Sequence, residues 1–182
     1  DFYQECVAQG IKPVIGMEAY FVPEPKVHEK GAKAYHLVLL AMNNEGYENL
    51  KELDAEAYEK ENFYYKARIG WESLQAHNDG IICLTACLAS IINTDDGEEW
   101  FCKFHELFGN RFFAEVQPNE FERQYDYNQK VISLAEKYGV PIVVTTDAHF
   151  SRKEDLPYHK LWIAVSGKSY YDNENYVMTG DE

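Results

Sequence analysis

Apolar runs too short for helices alternate along this chain with longer stretches of helical spacing, and that alternation limits the fold more than any single motif. Residues 11–22, 35–42, 80–87, 111–117 and 140–146 read as strands, bounded by glycine, proline and asparagine. Between and around them, residues 1–9, 45–59, 71–77, 98–108, 121–138 and 154–165 carry apolar positions three and four apart. Gly10 and Gly139 stand where helices should stop, and Asn43 or Asn44 where one should start. After a first hairpin the order is helix, strand, helix, strand, which predicts an α/β barrel or layered sheet. A chain of 182 residues, 46% hydrophobic and 15% aromatic, suits about one globular domain.

Period two sorts the side chains of each strand. Gly16, Glu18 and Tyr20 should share one face, with Ile15, Met17, Ala19 and Phe21 on the other. Pairing of residues 11–22 with 35–42 around the polar loop at 23–34 would bring Glu18 towards His36. Ile81, Cys83, Thr85 and Cys87 should share a face, with Cys87 at the strand's end; Cys83 reads as a small buried hydrophobe. Val143, Thr145, Asp147 and His149 should likewise point one way, ending in a carboxylate and an imidazole. Glu115 lies in a further strand, while His105 and His159 read as structural or surface residues.

In parallel α/β barrels, functional groups collect at one rim from the ends of several strands. Glu18, His36, Cys87, Asp147 and His149 all have that address, which makes them candidate metal ligands. Mixed carboxylate, imidazole and thiolate donors suit Zn²⁺, or Zn²⁺ with Mn²⁺ or Fe²⁺, better than Ca²⁺ or Mg²⁺ alone. Glu18 could bridge two ions, and ions ~4 Å apart clamp both oxygens of an in-line phosphoester displacement. Phosphoester hydrolysis is the chemistry implied.

Charge qualifies the substrate. The 17 basic and 31 acidic residues leave a net charge of −14, which opposes unaided gripping of a phosphate backbone. The aromatic and basic cluster at residues 63–69 holds two of the few cations, and Lys66 and Arg68 are candidate phosphate contacts there. Apolar runs fall far short of the ~20 residues that span a bilayer, no signal peptide is visible, and the four cysteines form no C-x-x-C pair. Reduced thiols and a cytoplasmic setting are expected, without membrane contact. A first residue that is not Met, within a helical stretch, suggests part of a longer polypeptide.

Six segments in order, IKPVIGMEAY (11–20), YHLVLLA (35–41), NEGYENL (44–50), FYYKARI (63–69), TACLA (85–89) and TDAHF (146–150), resemble the polymerase and histidinol phosphatase (PHP) domain. The nearest form is that of the bacterial C-family replicative polymerases, the DNA polymerase III α subunits. The resemblance implies an irregular (β/α)7 barrel, here lacking its N-terminal part, over residues 1–167, with 168–182 as a linker towards a polymerase domain. It implies a rim holding two to three divalent metals in the complete domain. Glu18 matches the bridging ligand, His36 and Cys87 the ligands of a second ion, Asp147 a ligand of the first and His149 a ligand of the third. Glu18, Asp147 and His149 would then carry catalysis. Cys87 replaces the histidine of the stand-alone phosphatases, as in the polymerase branch, and the family's H-x-H and T-D-H-G motifs lie upstream of this chain.

The implied activity is metal-dependent 3′→5′ proofreading hydrolysis of DNA. Two alternatives stay open: a non-catalytic scaffold that docks a separate exonuclease subunit, and a free-standing histidinol-phosphatase-like enzyme. DNA would be reached through the rest of a polymerase chain, since these residues contain no triad of palm carboxylates.

Overall fold

The computed structural model of the chain describes residues 1–25, 28, 30–118 and 122–166. The linker assigned to 168–182 lies outside the described residues. Six strands form one sheet: β1 (Gly16–Phe21), β2 (Tyr35–Ala41), β3 (Arg68–Ile69), β4 (Ile81–Leu84), β5 (Phe112–Val116) and β6 (Ile142–Val144). Their order across it is β3-β1-β2-β4-β5-β6. β2 runs antiparallel to both of its neighbours, and the other pairings are parallel, so five strands share one direction. Among the described residues the sheet is open, with β3 and β6 as its edges. This is a mixed α/β arrangement of the kind expected for part of a (β/α) barrel.

Helices α1 (Phe2–Ala8), α2 (Asn44–Ala57), α3 (Trp71–Ala76), α4 (Gly97–Phe108), α5 (Glu122–Tyr138) and α6 (Leu156–Val165) fall close to their predicted spans. The side chain of Asn43 caps α2, accepting the Gly46 N–H at 2.9 Å. Gly46 is buried against the Gly80 turn so tightly that a Cβ there would meet the Gly80 carbonyl oxygen at 1.9 Å.

Period two decides which strand faces pack. Ala19 and Phe21 of β1, Leu37 and Leu39 of β2, Ile81 and Cys83 of β4, and Phe112 and Ala114 of β5 enter one core. Leu50 and Leu53 of α2, Phe101 and Phe104 of α4, and Val131 and Leu134 of α5 close over it. Phe21 packs edge-on against Trp100 and Phe104 at 5.2 and 5.3 Å between ring centroids. Burial on this scale, ~25 cal/mol per Å² of apolar surface, supplies most of the driving force for folding.

Three predicted strands are shorter than expected, the one predicted over 80–87 being regular only at Ile81–Leu84. Residues 11–15 precede β1 as irregular chain, and β6 ends at Val144 where the apolar run suggested Thr146. Among the described residues β6 is also an exposed edge, with Val144 64% accessible.

Candidate metal centre

The face of the sheet opposite the core carries the candidate ligands. On β1, Glu18 and Tyr20 alternate with core-facing Ala19 and Phe21, although Glu18 sits in mid-strand and not at the strand's end. Tyr20 pairs directly with His36 across the β1/β2 ladder, which makes Glu18 and His36 diagonal neighbours. Their contact is close: His36 Nδ1 lies 2.5 Å from Glu18 Oε1. The expected approach of these two residues is present, and the antiparallel register is its cause.

Cys87 arrives by a different route from the one alternation predicts. Strand regularity would put it on the core side with Cys83. After Thr85, however, Ala86 takes φ +58°, a left-handed conformation that alanine adopts only against steric resistance. The turn swings Cys87 to the opposite side, where its Sγ lies 3.4 Å from His36 Nδ1. Pairing of His36 with this segment fixes the approach, the His36 N–H donating to the Ala89 carbonyl at 3.0 Å.

Asp147 is also placed by a turn. Its own φ is +49°, so the Val143, Thr145, Asp147, His149 alternation fails beyond Thr145. His149 folds back, its Nδ1–H donating to the Asp147 carbonyl at 2.6 Å. That bond sets the tautomer of the neutral ring, with Nε2 as the acceptor nitrogen. His159, expected on the surface, instead packs inward from α6, its ring 6.1 Å from that of His149 and its Nε2 buried without a hydrogen-bond partner. Among the described residues, the non-glycine positions in the left-handed region are Tyr65, Ala86 and Asp147, each at or beside a candidate site residue. Strain of this kind costs about 1–3 kcal/mol per residue and persists where the surroundings over-determine it.

Electrostatics tie the group together. The hydrogen bond to His36 draws the Glu18 carboxyl below its ordinary range. Cys87 and Glu18 together raise the His36 imidazole from 6.5 to about 10. Burial raises Asp147, and repulsion from Glu18 adds to it. Burial also raises Glu115, with Asp147 adding repulsion. Two carboxyls pushed up by burial, Asp147 repelled further by Glu18 and Glu115 further by Asp147, stand beside an imidazole and a thiol in an environment that a cation would relieve.

The donors therefore suit a borderline-soft divalent ion such as Zn²⁺ in chemical type. Glu115 Oε2, buried with no hydrogen-bond partner, adds an unsatisfied carboxyl oxygen near the same place. Among the described residues, no three His, Cys, Asp or Glu side chains converge on one point as a ready-made shell. Glu18 and His36 are instead turned on each other.

The two candidate substrate contacts separate. Lys66 belongs to the site: its Nζ lies 3.7 Å from the centroid of the Tyr20 ring, and its charge acts on Glu18. Arg68 does not. It is 3% exposed, and its guanidinium donates to the carbonyl of Asn62 at 2.9 Å and to that of Pro25. Its expected phosphate contact is replaced by a bolt between β3 and two loops. Glu115 and His159 are the members of the neighbourhood that sequence reasoning left without a role; a carboxylate inside the apolar strand at 111–117 was the available signal for the first.

The PHP domain family model matches residues 1–119. The chain is 39% identical to DNA polymerase III subunit alpha of Aquifex aeolicus, over 92% of this chain and 16% of that protein. It is 36% identical to the Thermus aquaticus protein of the same name over 100% of this chain and 17% of that one, and 34% identical to the Deinococcus radiodurans protein over 96% and 14%. It thus spans about a sixth of the length of the curated relatives it matches. With a family match over more than half its length, the observed α/β sheet and the side chains gathered on one face of it, the chain belongs to the PHP domain family.

Proposed function

We propose that this domain is a metal-dependent phosphodiesterase of the 3′→5′ proofreading type, working inside a replicative DNA polymerase in the cytoplasm. The observation that carries the reading is the contact of His36 on β2 with Glu18 on β1 and with Cys87 in the turn after β4, with Asp147 in electrostatic range. Glu18, His36, Cys87, Asp147 and His149 would hold Zn²⁺ or Mn²⁺, completed by ligands from elsewhere in the polymerase. Bound there, such ions would supply hydroxide at neutral pH and neutralise charge on the phosphoryl oxygens. In this chain, Glu18 and Asp147 contribute the negative charge that retains cations, and the Asp147 carbonyl orients the His149 ring. Lys66, seated over Tyr20, offers a positive charge to a phosphate. DNA is delivered by other parts of the polymerase, because the net charge of −14 repels it here.

A second reading has one observation in its favour: the donors do not converge into a formed shell among the described residues. In that case the domain is structural and serves as a dock for a separate exonuclease subunit. Release of nucleotides from the 3′ end of labelled single-stranded and mismatched primer DNA, measured on the full-length protein with Mn²⁺ or Zn²⁺, separates the two. Release that disappears in Asp147→Asn supports the phosphodiesterase. No release from either protein, with polymerisation intact, leaves the structural reading.

A further inference from the structure

Glu115 is the buried side chain that the metal reading leaves unexplained. It lies on the site face of β5, between core-facing Ala114 and the neighbouring strand ends, and is 4% exposed. A strand position so enclosed is normally apolar, and a carboxylate with one oxygen unsatisfied is not something the core requires.

Its bonds run to both strands that flank β5. On the β4 side, the Glu115 N–H donates to Thr85 Oγ1 at 2.8 Å, and the Thr85 N–H donates to the Phe113 carbonyl at 3.3 Å. Thr85 immediately precedes the left-handed Ala86 that turns Cys87 outward. The hydroxyl of fully buried Tyr127 holds the same turn from beneath, donating to the Thr85 carbonyl at 3.0 Å. On the β6 side, the Thr145 hydroxyl donates to Glu115 Oε1, and the Thr145 N–H donates to the Val116 carbonyl at 3.1 Å. Thr145 stands two residues before the left-handed Asp147. One residue is thus bonded, by its backbone N–H on one side and its carboxylate on the other, to the threonine just past each strand's end, ahead of two left-handed turns that carry candidate ligands.

We propose that Glu115 is a positioning residue that clamps the turns carrying Cys87 and Asp147 at a fixed separation through Thr85 and Thr145. The inference rests on the metal-centre reading and adds to it the part that holds the ligands in place. Regular strand geometry delivers neither Cys87 nor Asp147 to the site, so their relative position depends on what restrains the two turns. Outer partners of this kind typically govern metal affinity by ten- to a hundredfold.

Co²⁺ titration of the full-length, metal-stripped protein tests this, read by the thiolate-to-Co²⁺ absorption band. Cys87→Ala identifies the part of that band belonging to this site. Thr145→Val keeps the side-chain shape and removes the donor to Glu115. The expected result is a ten- to a hundredfold weaker Co²⁺ affinity in Thr145→Val, with the same number of ions at saturation. Glu115→Ala should weaken binding similarly, the double variant should be little worse than either single one, and Thr145→Ser should restore wild-type affinity. Wild-type affinity in Thr145→Val, or loss in Thr145→Ser equal to that in Thr145→Val, overturns the clamp while leaving the metal centre standing. Loss of a whole ion in Glu115→Ala with Thr145→Val unaffected also overturns it, since Glu115 would then be a ligand itself. A wild-type protein without a Cys87-dependent band overturns the metal centre and the clamp together.

Discussion

The His36 proton should make the metal-free domain less stable as pH rises through a range in which carboxylates are silent. Cys87 and Glu18 raise the folded pKa of His36 from 6.5 to about 10. The folded state therefore holds this proton more tightly than the unfolded chain does. The resulting stabilisation is complete below pH 6.5 and is lost progressively as pH climbs towards 10. Undiluted, a displacement of that size is worth about 5 kcal/mol at 1.36 kcal/mol per pH step. Side-chain exposures of 24% for His36 and 45% for Glu18 let solvent screen the interaction, which brings the expected value to about 1–2 kcal/mol.

Urea denaturation of the chelator-treated chain between pH 6 and 10, beside His36→Gln, measures it. The gap in unfolding free energy should be widest near pH 6 and narrow by about 1–2 kcal/mol at pH 10. The carboxyls of Asp147 and Glu115 are raised chiefly by burial, and because the His36 charge also acts on Asp147 the comparison is drawn from pH 6.5 upward. Glu18 works in the other direction, its share being present above pH 4.5 and lost as pH falls through its lowered folded value. Parallel curves for wild type and variant from pH 6.5 to 10 would refute a His36 proton shared with Glu18 and Cys87.

Other substitutions probe separate parts of the molecule. Gly46→Ala should destabilise by about 3 kcal/mol in thermal or urea unfolding, since its Cβ would collide with the Gly80 carbonyl oxygen at 1.9 Å. Asn43→Ala, which leaves the Gly46 N–H without its cap, should cost about 1 kcal/mol in the same assay. Phe104→Ala should cost about 3–5 kcal/mol, because the ring is fully buried among Phe21, Trp100 and Phe112. Lys66→Ala should leave the melting temperature nearly unchanged and lower nucleotide release about tenfold, whereas Arg68→Ala should lower the melting temperature and act on release only through folding.

Much of the fold was legible in residue order because period two and period 3.6 are local properties of the backbone. The opposite faces of Glu18 and Phe21, the approach of Glu18 to His36 and the Asn43 cap all follow from spacing along one strand, hairpin or helix start. What spacing could not supply lies where regular geometry stops. Ala86 and Asp147 leave the strand conformation for the left-handed region, and nothing in either residue type announces it. Alternation thus assigned Cys87 to the wrong face and extended the Asp147 pattern too far. Arg68 was a candidate phosphate contact as one of the few cations in an acidic chain, and only packing revealed the two carbonyls that bind it. Residue types and their periodicity thus determined the α/β class, the hydrophobic core and the identity of the candidate donors. Tertiary structure decided which of those donors meet, because that depends on strand register, on two strained turns and on the buried Glu115, Thr85 and Thr145 contacts between chain segments distant in sequence.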